Sequence, residues 1–222
     1  MESWYGRWGK RAFDVIAALF LIVVVAPVML IVAVGTWMTV GYPVLFRQER
    51  AGWFGARFYA LKFRSMREGI DGHGNPFPDE VRLTRFGRMI RLTSLDELPS
   101  LINVLRGEMS IVGPRPLLLA YNARYTERQL RRLAVRPGIT GLAQMRGRQS
   151  LRFSQRIDLD LEYVNSMSLL SDLGIMLATI PAVFSARGVI NGQLPTEVDD
   201  LGPATDPDLS STRLEQLRKR YA

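Results

Sequence analysis

A chain of 222 residues is long enough for one well-buried domain plus a membrane anchor, and too short for two full domains. It has no cysteine and one histidine, His73 in the loop-like run Asp71 to Pro78. Disulfides, thiolate zinc sites, cysteine nucleophiles and Ser-His catalysis are therefore set aside, and acid–base, nucleophilic or metal chemistry falls to carboxylates. The formal charge of +8 points to anionic partners: phosphorylated substrates, anionic lipid or nucleic acid.

Residues Val15 to Val40 carry no charged side chain, and as a helix these 26 residues would reach about 39 Å, enough to cross a hydrocarbon layer of about 30 Å with tilt. A cleaved signal peptide would want a shorter apolar core and a small-residue cleavage site. A spanning helix would put its two flanks on opposite sides, yet Arg7, Lys10 and Arg11 precede it and Arg47, Arg50 and Arg57 follow. Basic flanks favour the cytoplasmic side. Pro27 divides the segment into halves of roughly 18 Å, each too short to cross. The balance leans toward a re-entrant helix broken at Pro27, with Asp14 near the entry held by Lys10 or Arg11.

Pro43 to Met66 reads as a β-hairpin, with apolar runs Val44 to Phe46 and Phe58 to Phe63 about the turn Ala51 to Gly55. Glu68 to Asp79 is a Gly- and Pro-rich loop, followed by a helix over Glu80 to Arg91. Gly113 to Pro116 breaks structure. Tyr121 to Val135 is expected as one basic helix stopped by Pro137, and Leu151 to Val189 as largely helical and apolar enough to lie on a membrane surface. Asn191 to Thr212 is expected as an extended or disordered tail and Arg213 to Tyr221 as a short final helix. The fold class is therefore α+β and mainly helical, with a re-entrant membrane helix, a small β-hairpin and amphipathic interfacial helices. The expected units are 1–43 (membrane segment), 44–189 (catalytic domain) and 190–222 (acidic tail and short helix).

Charge follows this division. Between Val44 and Arg156 there are 21 basic and 9 acidic residues, while Gly188 to Thr212 holds five acids and no base. Of the 29 basic residues 26 are Arg, whose planar fork can grip phosphate through two parallel hydrogen bonds. A GC-rich genome would enrich Arg without any such role.

The segment Thr93-Ser-Leu-Asp-Glu-Leu-Pro99 sets two adjacent carboxylates at a helix start. Ser94 to Glu97 matches a capping box, in which the acids only serve the helix dipole. Pro99 disturbs that reading, because it would be the fifth helical residue. With Leu98 as cap, Pro99 takes the first helical position and Asp96 and Glu97 lie outside, free to act as nucleophile and metal ligand. Arg115, between Pro114 and Pro116, has a stiff backbone suited to a pre-positioned phosphate contact, or is an exposed Arg on a polyproline-like turn. Asp158-x-Asp160 has the form of a short metal–nucleotide motif, but no Gly-rich nucleotide loop accompanies it.

Six stretches in order carry a resemblance: Lys10 to Ala18 (KRAFDVIAA), Phe46 to Gly52 (FRQERAG), Lys62 to Met66 (KFRSM), Arg91 to Pro116 (RLTSLDELPSLINVLRGEMSIVGPRP), Arg136 to Arg148 (RPGITGLAQMRGR) and Asp160 to Leu173 (DLEYVNSMSLLSDL). The chain resembles the bacterial sugar transferases, the monotopic phosphoglycosyl transferases that start glycan assembly on polyprenyl phosphate, in their minimal form. The resemblance implies that Asp96 is a nucleophile attacking the β-phosphorus of a UDP-sugar, releasing UMP and leaving an aspartyl-phosphosugar that polyprenyl phosphate then attacks. It implies Glu97 as the Mg²⁺ ligand, and Lys62, Arg91, Arg115, Arg148 and Asp160 as substrate-binding residues, Arg148 near the nucleotide. Asp160 rather than Asp158 aligns with the family acid, so the apparent metal motif is incidental. Expected partners are a UDP-sugar, polyprenyl phosphate and membrane lipid, without nucleic acid, on the cytoplasmic face of the bacterial inner membrane. Dimerisation, the sugar and the glycan pathway stay open. Where such sequences often break the membrane helix at Ser-Pro, this one has Ala26-Pro27. The rival readings are a membrane-tethered, Arg-rich binding protein and a conventional glycosyltransferase that releases UDP.

Overall fold

The computed structural model describes residues 5–70, 77–147, 150–185, 198–204 and 207–221. After a π-helical turn at Tyr5–Gly9, the apolar segment forms one helix, α1 (Lys10–Thr39), with Pro27 inside it rather than at its end. By length and composition it could cross a membrane. Both of its ends nevertheless rest on the rest of the chain. At the start, Arg11 donates to the carbonyls of Val104 (2.6 Å) and Leu105 (2.9 Å), and buried Asp14 accepts from Lys10, Ser110 and the Ile111 amide. At the far end Val32 packs with Phe63 and Ile90, and Arg67 donates to the carbonyl of Thr39. Between them Leu19, Phe20, Val23, Val24, Leu30 and Ile31 remain exposed along one side.

The expected hairpin is present. Strands β1 (Leu45–Ala51) and β2 (Arg57–Phe63) pair antiparallel from Leu45 opposite Phe63 to Ala51 opposite Arg57. Phe54 and Gly55 both take positive φ in the turn between them. Beyond the strands, Glu80 to Arg91 is two helices rather than one: α2 (Asp79–Arg82) and α3 (Arg85–Leu92). Thr84 intervenes with extended backbone, and its side chain accepts from the Gly87 amide. Such a cap stabilises a helix start by about 1 kcal/mol, enough to restart the helix there.

Helix α4 (Ser100–Arg106) follows the carboxylates, then β3 (Ser110–Val112), which pairs in parallel with β4 (Gly138–Thr140). The expected basic helix over Tyr121 to Val135 is instead a 3₁₀ turn (Leu119–Arg124), α5 (Glu127–Leu130) and a second 3₁₀ turn (Arg131–Ala134). Thr126 and Gln129 form a reciprocal capping box that starts a new helix in mid-segment. After α6 (Leu142–Arg146), the stretch expected as largely helical divides into α7 (Phe153–Ser166) and α8 (Leu169–Ser185). Helix α8 exposes Leu169, Leu170, Leu173, Leu177 and Ile180.

Of the expected tail, 191–197 and 205–206 lie outside the described residues, and the described part packs on the rest of the chain. Helix α9 (Pro207–Tyr221) begins six residues before the expected Arg213. Val198, Leu201 and Leu217 are buried in a cluster with Tyr125, Leu133 and Ile157. Asp199 pairs with Arg124, and Asp200 accepts from the amide and hydroxyl of Ser154 at the start of α7. These residues fold back onto the body of the chain.

Candidate active site

Three segments converge on the carboxylate pair. Asp96 and Glu97 lie on a 3₁₀ turn (Leu95–Glu97), and α4 starts at Ser100 with Pro99 as its cap, one residue later than the expected cap at Leu98. Ser94 takes left-handed backbone (φ 55°) and makes no side-chain cap, so the capping-box reading fails and the acids stand outside the helix. A non-glycine residue in that conformation costs on the order of 1 kcal/mol and is tolerated where surrounding structure enforces it.

Strand β2 brings Lys62. Its backbone is fixed to α4 by side chains: Ser100 donates to the Leu61 carbonyl (2.8 Å), while Asn103 accepts from the Leu61 amide and donates to the Tyr59 carbonyl. Ser100 and Asn103 are three residues apart and so share a helical face. They satisfy strand groups that a two-stranded sheet leaves bare, and they fix Lys62 opposite Glu97. The Lys62 ammonium lies 2.6 Å from Glu97 Oε1.

Arg115 closes on the same oxygen at 2.8 Å. Its turn is held where β3 meets β4. The Gly138 amide donates to the Pro114 carbonyl, and a Cβ on Gly138 would stand 2.1 Å from the Gly113 nitrogen, so no larger residue fits the crossing. Arg91 is placed by the hydroxyl of Ser65, which its Nε reaches at 2.7 Å.

The electrostatics separate the two acids. Burial works to raise the Glu97 pKa, but the charges of Arg115 and Lys62 and their hydrogen bonds outweigh it, so Glu97 stays ionised well below the usual carboxylate range. Asp96 is pushed up to about 6, by burial first and then by repulsion from Glu97, against the pull of Lys62, Arg91 and Arg115. Asp96 takes part in none of the described hydrogen bonds, and Glu97 Oε2 accepts none either. One carboxylate is fully engaged through a single oxygen, while its neighbour is left free among cations. Glu97 borders a small cleft together with Arg50, Lys62, Ser100 and Arg115, and Asp96 is the next residue along the turn.

Among the described residues no cluster of three or more His, Cys, Asp or Glu is present. A hard cation such as Mg²⁺ needs less, since it keeps several waters and takes one or two carboxylates plus substrate phosphate. The unused Glu97 Oε2, with Asp96 beside it, could hold such an ion.

One expected substrate contact falls elsewhere. Asp160 is buried on α7 and faces Arg132, whose Nε and Nη2 both reach its Oδ2 (2.9 and 2.7 Å), rather than the cleft. A buried carboxylate needs such a partner, and Arg132 satisfies it. Asp158 is exposed and pairs with Arg128. Arg148 and His73 lie outside the described residues. Sequence reasoning did not single out Ser100, Asn103 or Arg132 for the site. The 100/103 spacing on one helical face was the readable signal for the first two, whereas Arg132 gave none, lying 28 residues from its partner.

The profile of the bacterial sugar transferase family matches residues 5–186. The chain is 46% identical over 180 residues to a Bacillus subtilis protein described as the uncharacterized sugar transferase EpsL, covering 81% of this chain and 89% of that one. It is 42% identical over 191 residues to the UDP-glucose:undecaprenyl-phosphate glucose-1-phosphate transferase of Caulobacter vibrioides, covering 79% and 70%. An Escherichia coli K12 protein of that same description is 38% identical over 188 residues, covering 80% of this chain and 40% of its own length. With its carboxylate pair, converging cations and match over most of its length, the chain belongs to the bacterial sugar transferases and is a sugar-phosphate transferase.

Proposed function

We propose that this enzyme transfers a phosphosugar from a UDP-sugar to polyprenyl phosphate, releasing UMP, through a covalent intermediate on Asp96. The observation that carries the reading is the division between the acids: Glu97 is held by Lys62 and Arg115 through one oxygen, and Asp96 is left unbonded beside it. An Asp96 oxygen attacks the β-phosphorus, and the bond from that phosphorus to the bridging oxygen breaks, so that UMP leaves. A phosphate oxygen of the lipid then attacks the same phosphorus and Asp96 departs as a carboxylate, giving a lipid-linked diphosphosugar. Lys62, Arg91 and Arg115 neutralise the phosphoryl oxygens, and positioning and charge stabilisation supply most of the acceleration in such chemistry. Asp96 and Glu97 Oε2 would hold Mg²⁺, which when bound adds charge neutralisation at the diphosphate. UDP-glucose is the donor to test first, since it names the reaction of the Caulobacter relative.

The same reading seats α1 in the cytoplasmic leaflet of the bacterial inner membrane as a re-entrant helix. Its two ends are both anchored on the catalytic body, and the exposed apolar side lies between them. A helix carrying the body to one side and the N-terminus to the other would break one set of these contacts.

The test combines UDP-glucose, polyprenyl phosphate and Mg²⁺ with the enzyme, followed by nucleotide analysis and intact mass. UMP release and an adduct of one hexose phosphate on the wild type, absent from Asp96→Asn, are expected. Release of UDP, or an undiminished adduct on Asp96→Asn, sinks the mechanism.

A further inference from the structure

The hairpin's alternation decides which side chains reach the cleft. Phe46 opposes Lys62, Gln48 opposes Ala60 and Arg50 opposes Phe58, and residues directly opposite one another share a face. Arg50, Ala60 and Lys62 accordingly border one cleft, together with Glu97 and Arg115. Arg50 is therefore placed at the carboxylates by the same strand geometry that places Lys62.

Its partners differ in kind. Lys62 and Arg115 both close on a carboxylate. Arg50 donates from Nη2 to the Gln48 side-chain oxygen (2.6 Å) and from Nη1 to the Pro116 carbonyl (3.2 Å), and both acceptors are neutral. Among the described residues no carboxylate stands within ion-pair distance of it. Burial, and then repulsion from Arg115, lower its pKa to about 10, so it remains a cation at neutral pH. Of the five N–H donors in a guanidinium, two are used. A part-buried cation beside a second cation, with no ion-pair partner of its own and with donors to spare, is an arrangement that an anion relieves.

We propose that Arg50 is a phosphate-binding residue of this site, taking phosphoryl oxygens of a substrate between itself and Arg115. The proposal deepens the function above and rests on it for the choice of ligand. The phosphoryl group has two sources there: the nucleotide phosphate that leaves as UMP, and the phosphate of the lipid acceptor. A brace that merely ties β1 to the Pro116 carbonyl would need no charge, since both present acceptors are neutral.

Binding, rather than turnover, tests this, so its failure is separable from that of the reaction. The full-length enzyme in detergent is titrated with UMP in one arm and with a short-chain polyprenyl phosphate in the other. Arg50→Gln should weaken one arm by about ten- to a hundredfold, as expected for loss of a charge-assisted phosphate contact, and the arm affected identifies the source. Arg57→Gln, which removes the same charge from the exposed side of the hairpin, should leave both arms unchanged. Unchanged affinity in both arms for a folded Arg50→Gln overturns the proposal. If that variant fails to fold, Arg50→Lys serves: a loss of several-fold in one arm supports the site, because the fork geometry is gone while the charge remains, and unchanged affinity in both rejects it. A wild type that binds UMP but transfers nothing would count against the reaction and leave these arms readable.

Discussion

Arg132 and Asp160 form a buried ion pair whose third bond ends at the active site. The Nη2 of Arg132 lies 2.7 Å from Asp160 Oδ2 and 2.6 Å from the carbonyl oxygen of Arg115. Neither side chain faces the cleft, yet together they fix the backbone of a residue that does. The pair acts as a positioning device, and its loss has two separable effects. Asp160→Asn leaves a buried guanidinium short of charge and should cost about 3–5 kcal/mol of stability. Replacing both partners by apolar residues (Arg132→Met with Asp160→Leu) should restore much of that stability while leaving the Arg115 carbonyl without its donor. Denaturation midpoints and UMP release measured on the same preparations should show a folded double variant with low activity. Full activity in the double variant would mean that Arg115 needs no such anchor.

Glu97→Gln should weaken metal binding while leaving the nucleophile Asp96 in place. The amide keeps the shape but removes the charge that Lys62 and Arg115 share. Two cations left facing a neutral group will shift, and Mg²⁺ loses a carboxylate ligand. The expected result is a large fall in turnover, with the Mg²⁺ concentration for half-maximal rate raised at least about tenfold, as for loss of a charged ligand. An unchanged Mg²⁺ dependence would remove Glu97 from the metal site.

Arg115→Lys and Arg91→Lys test geometry against charge. Each keeps a cation but lacks the planar fork, and a single ammonium is a poor replacement where two parallel contacts are needed. Activity should fall by about tenfold or more in each, with little change in thermal midpoint. Wild-type turnover by both lysine variants would reduce these arginines to surface or structural roles.

Much of this arrangement could be read along the chain, and the unreadable parts have physical causes. The hairpin and the break before Pro99 were legible because turn residues and proline act locally, within a few residues of their effect. The meeting of Lys62 with Glu97, 35 residues apart, was legible only through the family resemblance, since no periodicity links a strand face to a turn in another segment. Asp160 was assigned to substrate through the resemblance alone, and a matching position in a sequence does not show whether an acid faces a ligand or, as here, a buried arginine. The Tyr121 to Val135 error came from letting helix-compatible side chains outweigh the Thr126–Gln129 capping box. The docking of the tail was missed because its acids masked Val198 and Leu201, whose burial depends on a surface offered by distant segments.

Gly87→Ala should disable the enzyme at a distance. A Cβ at Gly87 would lie 1.9 Å from the Ser65 carbonyl oxygen, a backbone atom that cannot yield without moving the strand end. Ser65 also holds Arg91 through its hydroxyl, so the displacement passes to a cation beside Asp96. A loss of about 1–3 kcal/mol in stability is expected from such overpacking, with a fall in activity larger than Ser65→Ala alone produces. Equal stability and activity in Gly87→Ala would mean that the helix and strand separate freely at this contact.

The final prediction concerns the membrane and follows from the two anchored ends of α1. Lys10, Arg11 and Asp14 are tied to α4, β3 and α8, while Val32 and Thr36 are buried and Val32 packs on β2 and α3. If the catalytic body faces the cytoplasm, where UDP-sugars are made, both ends must lie there, with the exposed stretch around Pro27 inserted into the leaflet. The chain has no native cysteine, so single cysteines report cleanly. Glu127, exposed on α5, serves as the reporter for the body. Ser3→Cys, Ala26→Cys and Glu127→Cys would be probed in intact spheroplasts with a membrane-impermeant thiol reagent, then again after lysis. Ser3→Cys and Glu127→Cys should label only after lysis, and Ala26→Cys poorly in both conditions because lipid covers it. Labelling of Ser3→Cys from outside would establish a spanning helix and require the Arg11 and Asp14 contacts to break in the membrane, leaving the chemistry at Asp96 to be judged by its own test.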